Sequence, residues 1–138
     1  MKSNRIILDT NLLISFLITN RFNELDELLI NRRIKFIFSD ESIAEFITVA
    51  KRPKFQKYFN DSKILRLLKV FDEFGELIKV NIHITKCRDK KDDFLLSLAV
   101  ESDADFLITG DKDLLTLKKI EKTYIITWRK FLNIMHIS

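Results

Sequence analysis

Apolar and polar positions alternate between two periods along the chain, and the switches between them define its elements. Ile6-Ile7-Leu8 forms a short continuous apolar run, ended at once by Asp9-Thr10-Asn11, and predicts a buried strand over 5–8. Leu12, Leu13, Phe16 and Leu17 then follow at helical spacing, with Thr10 or Asn11 as the expected cap. Phe22, Leu25, Leu28 and Leu29 define a second amphipathic helix within Phe22 to Ile30, and Ile34-Lys35-Phe36-Ile37-Phe38 a second strand. Ser39 or Asp40 caps a helix from about Glu41 to Lys51, closed by Pro53. Phe55, Tyr58 and Phe59 suggest one further short helix.

The longest helix spans Ile64 to Phe74, and Gly75 is expected to end it in the left-handed conformation. Leu77 to Ile82 alternates like a third strand, and His83 to Lys91 reads as a polar, basic loop. Asp92 to Glu101 returns to helical spacing. Ala104 to Thr109 is a fourth strand, ending in Thr109-Gly110-Asp111-Lys112-Asp113. A short helix at Leu114, Leu115 and Leu117, a strand at Thr123 to Thr127 and a helix at Trp128 to Met135 complete the chain. Strands alternating with helices predict an α/β sandwich with a mostly parallel sheet.

Composition agrees with that picture and narrows the class. With 138 residues, the chain is expected to be one domain that buries a core without disulfides or structural metal. Apolar residues are 46% and charged residues 32%, with two Gly and one Pro, which excludes disordered and fibrous classes. The net charge of +4 mildly favours a polyanionic partner. The single Cys87 rules out an internal disulfide and fits a reducing compartment. No apolar run approaches the ~20 residues of a membrane span, so the expected location is the cytoplasm.

The chemistry lies where the strands end. In open α/β sheets ligands bind beyond the carboxyl ends of the strands, and two strands here run into an acid, Asp9 and Asp111. Glu45, inside the helix after strand two, and Asp92, opening the helix after the basic loop, can lean over the same edge. Four carboxylates at one edge raise one another's pKa, and a divalent cation is the natural compensation. An all-oxygen set suits Mg²⁺ or Mn²⁺, whereas His83, His136 and Cys87 show no zinc-ligand spacing. The reaction suggested is metal-assisted hydrolysis of a nucleic-acid backbone.

Each acid taken singly has a plainer reading. Asp9 fits a helix cap as well as a ligand, Glu45 an exposed residue, and Asp92-Asp93 and Asp111-Asp113 favourable charges at helix N-termini. Basic candidates for phosphate contact are Arg52, Lys54, Lys57, Arg88, Lys90, Lys91 and Lys112, for which an ordinary solvated face is an equal alternative. The aromatics between Lys54 and Phe59 fit core packing better than base stacking.

Taken together, Ile7-Leu8-Asp9-Thr10-Asn11, Glu45, Arg88-Asp89-Lys90-Lys91-Asp92-Asp93 and Leu107-Ile108-Thr109-Gly110-Asp111-Lys112-Asp113-Leu114-Leu115 resemble the PIN-domain family of metal-dependent ribonucleases. The resemblance is strongest to the prokaryotic subgroup of toxin components of toxin–antitoxin pairs. It implies a five-stranded parallel sheet in a three-layer, Rossmann-like sandwich and a Mg²⁺ or Mn²⁺ site. Asp9, Glu45, Asp92 and Asp111 would be the catalytic acids, with Asp9, Asp92 and Asp111 on the metal. Asn11 and Thr109 would support them, Asp93 and Asp113 would be outer neighbours, and the third acid stays open between Asp92 and Asp93. Lys90 stands where Pro is expected in this subgroup. The function implied is an endoribonuclease; alternatives are an inactive module that binds RNA or protein, or a nuclease for DNA or flaps. Implied partners are an RNA substrate, a small antitoxin that covers the acids, and a second copy of the chain, with no membrane.

Overall fold

A computed structural model of the chain describes residues 3–19, 27–28 and 31–135. Its centre is β1 (Asn4–Leu8), which pairs in parallel with β2 (Ile34–Phe38) on one side and β4 (Phe106–Ile108) on the other. Beyond them lie β3 (Gly75–Leu77), β6 (Thr123–Ile126) and the two-residue β5 (Lys119–Ile120), giving the order β3-β2-β1-β4-β6-β5. All pairings are parallel except β5 with β6. Six strands are thus present among the described residues rather than five. The extra one is an antiparallel edge segment too short and too polar to register as an apolar run.

Both faces of this sheet are buried, which is why the strands read as unbroken apolar runs. Ile6, Leu8, Phe36 and Phe38 point to one layer, formed by α1 (Thr10–Ile18), α2 (Asp40–Ala50), α3 (Asp61–Phe74) and α6 (Trp128–Ile134). Ile7, Ile37, Leu107 and Ile125 point to the other, where α4 (Lys90–Ser102) supplies Leu95, Leu96, Leu98 and Ala99 and α5 (Lys112–Leu117) supplies Leu114. Aromatic rings fill the first layer: Phe71 stacks on Phe36 at 5.3 Å and meets Phe46 edge-on at 5.7 Å. Phe16 and Trp128 lie edge to face at 4.8 Å. No helix among the described residues is long and apolar enough to cross a membrane.

Several elements differ from expectation. α1 is capped by Asp9 rather than by Thr10 or Asn11: its carboxylate accepts from the Asn11 N–H. The expected helix from Phe22 to Ile30 lies outside the described residues, save Glu27 and Leu28, which are helical. Pro53–Phe55 forms a 3₁₀ turn instead of a further α-helix. Gly75 is extended, with φ −121°, not left-handed. It is needed for another reason: a Cβ there would sit 2.6 Å from the Phe71 carbonyl oxygen and 2.8 Å from that of Phe36.

β3 is correspondingly shorter and earlier than the expected Leu77 to Ile82. Only the Ile78 N–H continues the ladder, donating to the Phe38 carbonyl at 2.8 Å. α4 begins at Lys90, capped by the Asp89 carboxylate, so Asp92 lies in the first turn rather than at the start. Lys90 occupies the first helical position, where Pro would be geometrically acceptable but is dispensable once Asp89 caps the helix.

Candidate acidic site

The carboxyl edge of the sheet is where the acids meet, and helix capping is what puts them there. β1 and β4 end in register at Leu8 and Ile108, and the ladder runs one residue further through Asp9 N–H to Ile108 C=O, 3.0 Å. Asp9 spends one oxygen on the Asn11 N–H (3.0 Å) and accepts from the Thr109 hydroxyl (2.8 Å) on the other. Thr109 is buried, and its hydroxyl oxygen also accepts from the Asp111 N–H at 3.0 Å. One threonine therefore ties the two strand-end acids together. Asp111 in turn caps α5, accepting from the N–H groups of Asp113 (2.8 Å) and Leu114 (3.3 Å) through Oδ1. The positive ends of α1 and α5 thereby face the cluster and offset part of its charge.

Asp92 and Asp93 separate by helix face. Asp92 is buried, with 6% of its surface exposed, and sits among Asp111, Asp89, Asp9 and Asp113. Burial first, and then the charge of Asp111, pushes its pKa up to about 6. Asp93 turns the other way and accepts from the backbone N–H groups of Lys86 (2.8 Å) and Cys87 (2.7 Å), pinning the preceding loop to α4. Burial also raises Asp9, opposed by its two hydrogen bonds and reinforced by Asp111 and Glu45. Burial and the Asp93 carboxylate raise the Cys87 thiol, which keeps it a neutral packing group.

The tightest group of acids differs from the expected one. Carboxylate oxygens of Asp92, Asp111 and Asp113 all lie within 4.8 Å of one another, so Asp113 joins the cluster rather than standing outside it. Asp9 faces Asp111 and Glu45 from the neighbouring strand. Glu45 projects from the second turn of α2; it accepts from the Thr10 hydroxyl at 3.3 Å and pairs with the Lys91 ammonium at 3.3 Å. That ion pair joins the α2 and α4 sides of the cleft. The contact that Asn11 makes with Asp9 is its backbone N–H, while the residue itself is exposed on the rim. Asn11 lines a cleft of about 350 Å³ with Asp9, Ser15 and Asp111.

The basic candidates divide in two. Arg88 donates two hydrogen bonds to Asp113, at 3.0 and 3.1 Å, and Lys91 is held by Glu45, so both belong to the site's own network. Lys112 is exposed at the first position of α5, between two acids. Arg52 follows the far end of α2, and Lys54 lies over the Phe55 ring at 5.0 Å. Among the described residues, no ion pair or hydrogen bond joins either to the acids. Sequence reasoning missed Asp89 as the α4 cap and gave Asp113 only the place of an outer neighbour. Their signal was present in position: Asp89 directly precedes the helix, where Asp is a favoured cap, and Asp113 lies in the first turn of the helix that Asp111 caps.

The fold and the site define an α/β protein with an acidic cleft on the carboxyl edge of a parallel sheet. A family model for the PIN domain matches residues 5–113, and the chain belongs to that family. An uncharacterised protein of Methanocaldococcus jannaschii is 32% identical over 121 residues, covering 86% of this chain and 77% of that protein. Among solved structures, a chain of VapBC2 from Rickettsia felis, determined bound to a DNA fragment from its promoter, superposes with a TM-score of 0.58. It is 21% identical, and the match covers 90% of this chain and 98% of that one.

Proposed function

We infer that the chain acts as one PIN domain whose activity is metal-dependent endonucleolytic hydrolysis of RNA, and that it is the toxin of a toxin–antitoxin pair. The observation that carries the reading is the convergence of Asp9, Asp92, Asp111, Asp113 and Glu45 on one sheet edge, with Asp92 buried among like charges. Nuclease activity is the general property of PIN domains, and the fold likeness to a VapBC2 chain supports an antitoxin partner.

The donor set fits a hard cation: only carboxylate oxygens converge, and Asp92 has no cation paired with it among the described residues. Asp9, Asp92 and Asp111 would hold Mg²⁺ or Mn²⁺, with Asp113 as a further donor. Bound there, the ion would acidify water and stabilise charge on phosphoryl oxygens. The chain's own residues supply the positioning. Thr109 holds the Asp9 carboxylate and the Asp111 backbone N–H, the Asp113 and Leu114 N–H groups hold the Asp111 carboxylate, Asn11 fixes Asp9 through its N–H, and Lys91 holds Glu45 where its carboxylate can accept a proton from attacking water. Arg88 restrains Asp113, and Lys112 and Lys91 offer positive charge beside the acids. Arg52 and Lys54 would contact more distant phosphates.

Cleavage of single-stranded RNA in Mn²⁺ tests the reading, with wild type compared against Asp9→Asn and Asp92→Asn and against EDTA. Loss of cleavage in both variants and in EDTA is expected, and equal activity throughout would sink the assignment. A matched DNA strand decides between RNA and DNA as substrate.

A further inference from the structure

The acidic cleft does not hold a polyanion well by itself, because five carboxylates face it. Cations are needed close by, and the structure offers a set that the acidic site does not use. The cleft at Asp9 and Asp111 shares Leu12 and Gly110 with a second depression of about 540 Å³, which runs along α6 past Arg129. That depression shares Thr127 with a third, of about 510 Å³, lined by Lys118, Lys119, Tyr124 and Lys130. The three depressions thus lie in series, adjacent ones sharing a lining residue, with acids at one end and cations at the other.

Its basic end has the features of a strand-tracking surface. Lys118, Lys119, Arg129 and Lys130 are all exposed, and among the described residues none is engaged in an ion pair. Glu121, at the tip of the β5–β6 turn, is the nearby acid in sequence and is flanked by Lys122. Tyr124 is 51% exposed although it sits on a strand paired on both sides, with Lys119 Nζ 4.7 Å from its ring centroid and Phe106 beneath at 6.4 Å. One side of the ring packs on Phe106, and about half of the residue is left to solvent. An aromatic face bordered by cations suits a stacked base between phosphates.

We propose that the path from Gly110 over Thr127 to Tyr124 is a binding track for single-stranded RNA, in which Lys119, Lys130 and Arg129 take phosphates and Tyr124 stacks on a base. The proposal rests on the ribonuclease reading for its substrate class. It adds a site outside the acids and predicts that affinity depends on RNA length.

The test uses the full chain and two labelled RNAs, one of about twelve nucleotides and one of about four. Fluorescence anisotropy in EDTA gives affinity, and steady-state cleavage in Mn²⁺ gives KM and kcat. Lys119→Glu/Lys130→Glu should weaken the longer RNA at least about tenfold and flatten the log–log salt dependence by about 0.7 per lysine. Tyr124→Ala should weaken it about tenfold with the salt slope unchanged, and Tyr124→Trp should restore it. Both sets should raise KM for the longer RNA with kcat unchanged, and leave the shorter RNA within about twofold. Wild type that binds the longer RNA through these residues yet cuts nothing overturns the ribonuclease reading and leaves the track standing. Wild type that cuts, with variants matching it in affinity, salt slope and KM, overturns the track alone. The track also falls if wild type has no affinity for either RNA, or if the variants lose only a protein partner.

Discussion

Asp92→Asn should make the metal-free protein more stable, and by an amount that depends on pH. The folded protein holds this carboxylate at about 6 against an ordinary 3.8, because it is buried and faces Asp111, Asp89, Asp9 and Asp113. One pKa unit corresponds to about 1.36 kcal/mol, so ionised Asp92 opposes folding by at most about 3 kcal/mol, reduced by the solvent that screens the exposed acids around it. Between pH 3.8 and 6 the folded state binds more protons at this position than the unfolded state does. Stability therefore falls as pH rises through that window. Asparagine keeps the shape and removes the charge. The two proteins should match below pH 4, and the variant should lead by about 2–3 kcal/mol at pH 7.5 in EDTA, roughly 5–10 °C in Tm. Urea unfolding followed by the fluorescence of the single, buried Trp128 reads the difference directly. Mn²⁺ at about 100 times its Kd should return about 2.7 kcal/mol to wild type and less to the variant. A variant no more stable than wild type at pH 7.5, or a gap equal at both pH values, refutes the account of Asp92.

Other substitutions probe separate parts of the structure. Thr109→Val removes the donor to Asp9 and the acceptor for the Asp111 N–H, and should lower Mn²⁺ affinity by about 10–100-fold in a titration followed by melting, while Thr109→Ser stays near wild type. Gly75→Ala drives a methyl into the Phe71 and Phe36 carbonyls and should lower the urea-derived stability by about 2 kcal/mol or more; unchanged stability would contradict the close approach. Arg88→Ala breaks an exposed pair with Asp113 and should change stability by less than about 1 kcal/mol, whereas the apparent Mn²⁺ affinity, read by calorimetry, should rise because Asp113 gains freedom to reorient.

The parts of the fold that were legible in the sequence are those in which a single physical demand acts on each residue. β1, β2 and β4, and β6 at Ile125 and Ile126, are buried between the two helix layers and read as apolar runs. Misreadings fall where two demands coincide. The alternation from Leu77 to Ile82 is real, and Ile78 and Val80 pack against the second core layer, yet no further ladder forms because the partner strand β2 ends at Phe38, where Ser39 caps α2. Gly75 was legible as a special position but not as one set by close approach, since that depends on where Phe36 and Phe71 arrive. In the site, Asp9, Glu45, Asp92 and Asp111 could be picked out by their place at strand and helix ends, and the structure brings them to one edge. The inclusion of Asp113 and the choice between Asp92 and Asp93 depend on helix phase, which is fixed only once Asp89 is known to be the cap.

The capping pattern also divides the acids by what they do for the fold. Asp9, Asp89 and Asp111 each accept an N–H at the start of a helix, so these carboxylates hold the backbone as well as line or border the cleft. Ionisation suits that work, because the positive end of a helix favours negative charge. Asp92 lies past its helix cap, buried, facing the charges of Asp111, Asp89, Asp9 and Asp113. Asp9 shares part of that conflict, since burial and its acidic neighbours outweigh its two hydrogen bonds and raise it, so Asp9→Asn, itself a good cap, should raise stability by less than Asp92→Asn does. For Asp92 the two demands have opposite sign in the metal-free protein. A residue that costs stability in isolation and keeps its charge-bearing chemistry at a sheet edge is where a cation would be most strongly coupled to folding. Comparing Asp9→Asn with Asp92→Asn in EDTA therefore measures, without any cleavage assay, which acid is retained for the site rather than for the fold.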